Sequence, residues 1–582
     1  MKKKQNQSWK NYIPITKWLP NYSISENLIN DIIGGVTVGI LNVPQGMAYA
    51  SLVGLKPVYG LYTSLFPSLI YMFFGTSRHV ALGVFAVVSL MSGSCNLRVT
   101  QEIISNNGTN MTSTEVEAIS INVVKSLGLA VGLIQIIMGL FKANYLISYL
   151  SDQIILGFTT GAAVHVLTAQ LNKILGVALP RHSGIGKLFF IYQDLITAII
   201  GEKVNVITFG ASVVAIVILY ISKYILTPRF CAKTLVPIPF DLFLIVIGTI
   251  IADWFQVEER WGVKVVGDIP TGFPNPALPD LFMFRHVIGD ALAIAIVSVV
   301  VTVSMGKVIA KKHNYEIDVR QEFFALGIVA STCSMFPCWP ATTALARTLI
   351  NDNAGTKTQI SAIFSALVLT LVLFFIGQYL EGLPMCLLSC IVIVALRGMF
   401  LHLQNFVTLW RVSKYDWAIF AITFFATVCL DVVPGLFIGT IFALLLSILR
   451  IQRSSPTLLD DDCAESGKTF VVFFASSLFY FNCERFDRKI QKIVAQITGE
   501  KDISKAAVST EDMAMIDSHK PQKTVIFDMN GVSSIDLSGA NLLVKIQKDL
   551  ITNDISFKIR NPSDHIFSFL TGLPNTDQLF ES

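Results

Sequence analysis

Charge is what this 582-residue chain has least of: Asp, Glu, Lys and Arg make up 14%, against 53% hydrophobic residues. Soluble domains carry roughly a quarter charged residues, so lipid is the expected solvent for most of the chain. The net charge of +4 is small for this length, and no basic–aromatic stripe appears, which excludes nucleic acid as an expected partner. Met1 to Trp18 is polar and basic without an apolar centre, so it does not read as a cleaved signal peptide. The first apolar span is then its own insertion signal. The nine cysteines contain no CxxC pair, and Cys386 and Cys390 share a helical face as packing residues would. The eight histidines show no metal-ligand spacing. No hydrolase elbow, P-loop, dinucleotide fingerprint or zinc signature is present. The expectation is therefore no enzyme, no metal and no cofactor.

What is abundant is apolar runs. A spanning helix needs about 20 mostly apolar residues. Such spans fall near 31–50, 57–75, 122–141, 146–169, 204–224, 236–255, 287–306, 320–336, 359–380, 384–401, 415–430 and 432–450. Two more segments, near 84–97 and 340–351, are apolar but too short to cross. Counting them as half-spans gives fourteen, or two sets of seven.

The distribution of basic residues tests that count. With both termini cytoplasmic, the inner loops carry Lys223, Arg229 and Lys233, then Lys307, Lys311, Lys312 and Arg320, then Arg397, Arg411 and Lys414. Arg450 and Arg453 close the last span, and Lys2, Lys3 and Lys4 agree at the start. The segment 98–121 then lies outside, and it carries glycosylation sequons at Asn107 and Asn110. The sequon at Asn21 falls inside and is expected to be silent.

After about residue 455 the pattern changes to short β-type runs, Thr469–Phe474, Thr524–Met529 and Ile555–Ile559, alternating with amphipathic stretches near 484–496 and 539–551. This reads as a small soluble α/β domain. The polar stretch 498–522 reads as a flexible insertion in it. Asp536 and Ser538 are suitable N-cap residues for the second helix. The organisation expected is an N-terminal cytoplasmic segment (1–30), a membrane domain (31–450) and the soluble domain (455–582).

The two short segments locate the chemistry. Irregular backbone at membrane depth survives only inside protein or around a water cavity. Paired half-helices in inverted-repeat transporters direct their N-termini at an anion. The first follows His79-Val-Ala-Leu-Gly-Val-Phe-Ala, with a helix starting near Val84. The second follows Met335-Phe-Pro-Cys-Trp-Pro, with a helix starting near residue 340 and Arg347 two turns into it. A cation inside a membrane segment is costly, so Arg347 is expected to face a cavity with an anion as its partner. Snorkelling to the inner interface is the alternative. Thr342 and Thr343 can donate hydroxyl hydrogen bonds or serve helix packing. In the first span, Pro44 and Gly46 are expected to break or bend the helix beside Asn42, Gln45 and Tyr49. Interhelical bonding is the plainer role for Asn42 and Tyr49.

The motifs Asn42-Val-Pro-Gln-Gly-Met-Ala-Tyr-Ala, Gly60-Leu-Tyr, Phe74-Gly-Thr-Ser-Arg-His and Ala341–Thr348 with Gly355-Thr-Lys-Thr-Gln resemble those of the sulfate permease family. In animals this is solute carrier family 26, which includes prestin. The C-terminal region with Ile535-Asp-Leu-Ser-Gly resembles the family's STAS domain. The resemblance implies a seven-plus-seven inverted repeat with a core moving against a gate. One anion sits between the third and tenth helices, and STAS contacts hold a homodimer. Family site positions fall on Gln45, Tyr49, Phe85 and Arg347, with Asn42 where relatives often carry Gln. Val84 and Thr343, Ala344, Leu345 and Ala346 complete the facing ends. Ala344 and Ala346 stand where prestin-like members have serine. Arg347 stands where the animal sulfate and oxalate carriers typically have lysine. Val301 aligns with the glutamate of proton-coupled members, which argues for exchange rather than symport. Asp290, nearer the outer end of that span, is a weaker coupling alternative. The resemblance implies a plasma-membrane exchanger of sulfate, oxalate, chloride or bicarbonate, with regulatory partners through STAS. A voltage-driven motor and a channel-like chloride conductance are the alternatives.

Overall fold

The computed structural model describes residues 13–107, 112–142, 151–180, 182, 186–227, 239–459, 469–498, 523–573 and 579–580. Asn110 and the insertion at 498–522, apart from Thr498 at a helix end, lie outside the described residues. The chain divides into two compact units, Met1–Phe442 and Ala443–Ser582.

The first unit is helical. The first half of the chain supplies α1 (Ile24–Val53), α2 (Pro57–Phe74), α3 (Ala86–Asn107), α4 (Ser113–Leu140), α5 (Asp152–Ile174), α6 (Lys187–Ile200), α7 (Val206–Ile221) and α8 (Phe240–Phe255). The second half supplies α9 (Phe284–Lys312), α10 (Val319–Cys333), α11 (Leu345–Asn353), α12 (Ser361–Leu371), α13 (Met385–Phe400), α14 (Leu403–Val412), α15 (Lys414–Cys429) and α16 (Val432–Gln452). Among the described residues, eight helical stretches are long and apolar enough to cross a membrane.

The two halves repeat one order. Each opens with a long helix, interrupts its third segment with extended backbone, and inserts an amphipathic helix (α6, α14) after its fifth. Setting those two aside leaves seven segments per half. An odd number of crossings turns the second half upside down relative to the first. Two-residue strands in the interrupted segments, β1 (Leu82–Gly83) and β2 (Thr342–Thr343), pair antiparallel, with Leu82 opposite Thr343 and Gly83 opposite Thr342.

Helix contacts sort into two bundles. In one, α1 packs on α2, α3 and α12, and α4 packs on α9 and α10. In the other, α5 packs on α13 and α15, and α13 on α7. Lipid gives little hydrophobic drive between helices, so close packing of small residues carries the association. The tightest crossing is α1 on α2. A Cβ on Gly60 would stand 1.9 Å from the Gly46 carbonyl oxygen. Elsewhere α7 and α8 expose Val214, Val217, Ile218, Ile247, Ile250 and Ile251. Such a surface suits lipid.

Two helices depart from expectation. The first interrupted segment is not short: α3 continues through the polar stretch assigned to the outer loop and ends at Asn107. Its polar residues are paired along the way. Asn96 donates to the Val53 carbonyl at 3.0 Å, the Thr100 hydroxyl reaches Asn96 at 3.2 Å, and Arg98 meets Asp290 at 2.6 Å. Pro44 does not break α1, which stays helical for 30 residues with Pro44 buried inside it.

The second unit holds a four-stranded sheet in the order β3 (Thr457–Leu459), β4 (Thr469–Phe473), β5 (Lys523–Asp528), β6 (Ile555–Arg560). The strands β4, β5 and β6 are parallel and β3 is an antiparallel edge. Three helices, α17 (Tyr480–Thr498), α18 (Leu537–Ile551) and α19 (Asp564–Thr571), complete it. Phe474, Phe486, Phe527 and Leu543 lie in its apolar core. Asp536 caps α18, accepting from the Gly539 amide at 2.8 Å.

The α1–α2 crossing makes a direct prediction. Gly60→Ala forces overlap with backbone and should cost about 1–3 kcal/mol or more. Gly210→Ala on α7, where a Cβ meets no atom within 4 Å, should be neutral or slightly stabilising. Thermal unfolding of the detergent-solubilised pair checks this, and equal midpoints would contradict the packing described.

Candidate anion site

The site is built around the β1–β2 pair. Each strand feeds a helix whose first N–H groups have no intrahelical partner. These are Ala86, Val87 and Val88 of α3, and Leu345, Ala346 and Arg347 of α11. The first helical bonds run from Ser89 N to Phe85 O at 2.9 Å and from Thr348 N to Ala344 O at 3.0 Å. Neighbouring elements fix the strands. The Thr342 hydroxyl donates to the Ser298 carbonyl of α9 at 2.9 Å and lies 2.9 Å from the Thr302 hydroxyl. The Trp339 indole donates to the Ser89 hydroxyl at 3.0 Å. On the other strand's approach, the buried Glu322 carboxylate accepts from Thr76 N at 2.8 Å, Thr76 Oγ1 at 2.5 Å and Ser77 N at 3.3 Å. It also accepts from the Tyr71 hydroxyl at 2.8 Å. That single side chain ties the turn before β1 to α10.

Arg347 fills the space behind the strands and is fully buried. Its Nε donates to Ala81 O at 3.3 Å, Nη1 to Val84 O and to Asn42 Oδ1 at 3.1 Å each, and Nη2 to Thr342 O at 3.5 Å. A Cβ on Gly83 would lie 3.1 Å from Nη2, so glycine leaves the guanidinium its room. All four acceptors are neutral. Among the described residues no carboxylate forms an ion pair with Arg347.

This corrects two expectations. Arg347 is the third residue of α11, not two turns in, because Thr342 and Thr343 are held extended by β1 and the helix begins only at Leu345. It also does not lie open to a cavity: backbone carbonyls surround it.

The other expected residues divide by whether they have partners. Asn42, Gln45 and Tyr49 share one face of α1 by their spacing. The Asn42 amide donates to Ser365 of α12 at 3.4 Å while its oxygen receives Arg347. Gln45 is half-buried and Tyr49 is buried. Neither has a hydrogen-bond partner among the described residues. The Thr343 hydroxyl is buried without a partner, whereas Thr342 is committed to α9. Val84 and Phe85 are buried, Ala344 is half-buried, and Leu345 and Ala346 are exposed. Beyond Asn42, on the α12 side, the cavity is only ≈ 20 Å³. That admits about one water and no oxyanion. Val301 is buried on α9.

The fold also brings together groups that sequence spacing leaves apart. His79, His313 and Asp352, remote in sequence, come together with ligand atoms within 4.8 Å of one another. Only the fold assembles them, so no spacing rule could have found them. Burial and the neighbouring His313 hold the His79 imidazole down to about 4, so it is neutral at cellular pH.

Fold and site together define a class: a polytopic helical membrane protein in which two half-helices converge on a buried cation. Residues 28–423 match the sulfate permease family and residues 462–574 match the STAS domain. The chain belongs to the sulfate permease family, whose members are transporters rather than enzymes. It is 40% identical over 451 residues to prestin of Tursiops truncatus, covering 77% of this chain and 60% of that protein. It is 32% identical over 579 residues to the sulfate transporter of Bos taurus, covering 92% of this chain and 78% of that one. The chain thus spans about 60% of the length of the prestin relatives it matches. A murine solute carrier 26 family member A9 structure, described as an anion transporter in the inward-facing state, superposes with TM-score 0.86 at 29% identity. That match covers 99% of this chain and 93% of the other.

Removing the Glu322 acceptor should loosen the approach to β1. Glu322→Leu leaves four donors unpaired, at about 1–3 kcal/mol for each one that stays buried. Glu322→Gln retains some of them. The unfolding midpoint should fall in the order wild type, Gln, Leu, and a Leu variant as stable as wild type would show that the carboxylate holds nothing.

Proposed function

We propose that this chain is a secondary anion transporter that exchanges small inorganic or dicarboxylate anions by alternating access. The observation that carries the reading is Arg347: fully buried, bonded to four neutral oxygens, and without a carboxylate partner among the described residues. A buried charge without a counter-charge is costly, and an arriving anion supplies one. At about 6 Å and an effective dielectric near 20, the attraction is roughly 3 kcal/mol, or about two orders of magnitude in affinity. The free N–H groups of α3 and α11 add to it, and Gln45, Tyr49 and Thr343 offer donors that do not neutralise it. The bovine relative's name, sulfate transporter, and the murine structure's title, anion transporter, support the substrate class.

The same charge supports exchange. A loaded site is closer to neutral, while an unloaded one moves a bare cation through a low-dielectric interior. Return is then easiest with a second anion. Val301 puts no titratable group at the position aligned with the proton-coupled members' glutamate.

We further infer that the protein lies in the plasma membrane, with residues 31–450 as the transport domain and 455–582 as a cytoplasmic STAS domain. Both termini are cytoplasmic, Asn107 and Asn110 are glycosylated outside, and STAS contacts hold a homodimer.

A second reading is a voltage-driven motor, favoured by the 40% identity to prestin. An uncompensated charge moving in the membrane field gains about 2.3 kcal/mol per 100 mV. Nonlinear capacitance without net exchange would decide for it.

Two substitutions test the electrostatic core. Arg347→Gln should reach the surface and reduce uptake about a hundredfold. Asn42→Asp, which keeps the guanidinium but gives it a carboxylate, should also cripple uptake. Tracer uptake in proteoliposomes, with sulfate, oxalate, chloride and bicarbonate competed against one another, measures both. Normal kinetics in either variant would sink the assignment, and a mild loss in Arg347→Gln would move most of the attraction to the helix ends.

A further inference from the structure

Away from the anion site, three segments meet at one end of the bundle formed by α1, α2, α3, α4, α9 and α10. His79 lies in the extended run before β1, His313 is the C-cap of α9, and Asp352 is in the last turn of α11. The two imidazoles stack with centroids 4.3 Å apart and planes inclined by 17°. The His79 Nδ1 lies 3.2 Å from the Tyr315 hydroxyl, and no hydrogen bond engages its Nε2 among the described residues. The His313 Nε2 lies 2.5 Å from Asp352 Oδ1, and Lys312 Nζ lies 2.6 Å from Oδ2. The carboxylate is almost fully buried, at 1% exposure, whereas the Lys312 side chain is 56% exposed and that of His313 33%.

We propose that His79, His313 and Asp352 form a binding site for one divalent transition-metal ion of the zinc, cobalt or nickel class. Two imidazoles and a carboxylate are the donors such ions select, and magnesium and calcium, which prefer all-oxygen sets, are excluded. Ligands at about 2.0–2.2 Å around zinc stand roughly 3.4 Å apart in a tetrahedron. The three donor atoms, already within 4.8 Å of one another, need to close by at most about 1.4 Å. The exposed His313 ring supplies that movement. The exposed Lys312 ammonium is the present counter-charge of Asp352, so the incoming ion displaces it and takes over the buried carboxylate. A fourth position remains for water.

The location gives the site a consequence. The Asn351 amide already donates to the His79 carbonyl at 2.9 Å. A metal bound by His79 and Asp352 adds a second tie between the approach to β1 and the end of α11. Those are the two segments that present the facing helix ends. The proposal does not depend on which anion is carried, or on transport at all.

The test uses the full chain purified without a histidine tag, stripped with chelator, and titrated with zinc, cobalt, nickel, magnesium and calcium. Calorimetry should find one transition-metal ion per chain, with a raised unfolding midpoint that magnesium and calcium do not produce. Cobalt should give a visible absorption band of imidazole–carboxylate type. His313→Gln and Asp352→Asn should each weaken binding at least tenfold. Lys312→Gln should tighten it severalfold, because it removes the competing ammonium. A purely structural cluster predicts only a loss of stability there, without metal dependence. His182→Gln, in the separate His182–Asp194 pair, should change nothing. Should His313 be needed for folding, Lys312→Gln alone still decides. Absence of saturable binding, or unaltered affinity in both His313→Gln and Lys312→Gln, overturns the proposal.

Discussion

Four residues, Leu82 and Gly83 paired with Thr342 and Thr343, hold the centre of this protein together. Extended backbone inside a membrane domain exposes N–H and C=O groups that lipid cannot satisfy, at several kcal/mol each. The pairing satisfies part of that demand. Arg347 satisfies more, taking the carbonyls of Ala81, Val84 and Thr342. The guanidinium is therefore both the source of positive potential and the plug that makes the broken helices tolerable. Charge and scaffold separate most cleanly at Asn42, the side-chain acceptor of the guanidinium among the described residues.

Hydropathy and the positive-inside pattern made the architecture readable, because burial in lipid imposes a uniform demand on every spanning segment. The half-helices were also readable, since Gly83, Pro337 and Pro340 are punctuation that a continuous helix would avoid. Their exact starts were not. Whether Thr342 extends or coils depends on its partner Gly83, 259 residues away in sequence (342 − 83). The length of α3 was hidden for a related reason. Arg98 and Thr100 look like a loop until Asp290 and Asn96 are seen to satisfy them. In the second unit, β4, β5 and β6 showed their β-branched and aromatic runs. The three-residue edge strand β3, exposed at every position, gave no alternation to read. The cluster of His79, His313 and Asp352 left no local trace whatever.

The chemistry of Arg347 suits its position better than lysine would. A guanidinium has five donors in a fixed plane and stays charged. Here it serves four oxygens on three segments while remaining behind the backbone. An ammonium on a flexible stem has three donors and would leave carbonyls unmet, or reach forward toward the anion. The arginine thus supplies a fixed field rather than a contact. On the proposed reading, contacts fall to groups without partners among the described residues: Gln45, Tyr49, the Thr343 hydroxyl and the first amides of α3 and α11.

That division bears on selectivity. One fixed positive charge balances a monovalent anion and leaves a divalent one with a net charge of minus one. The two cases differ in how costly the loaded core is to move through a low-dielectric interior, not only in how tightly the anion binds. A divalent cargo needs further donors to spread the excess charge. The neutral hydroxyls and amides here can do so only if they converge on all its oxygens at once. The half-buried Ala344 and exposed Ala346, standing where the resemblance puts the serines of prestin-like members, remove two sources of such donors. With a single charge and few side-chain donors, the site depends on helix-end amides for the rest. Amides are fixed in place by the β1–β2 pair, so on the proposed reading the spacing of the two half-helices, more than the identity of any side chain, sets the size of anion that can be held.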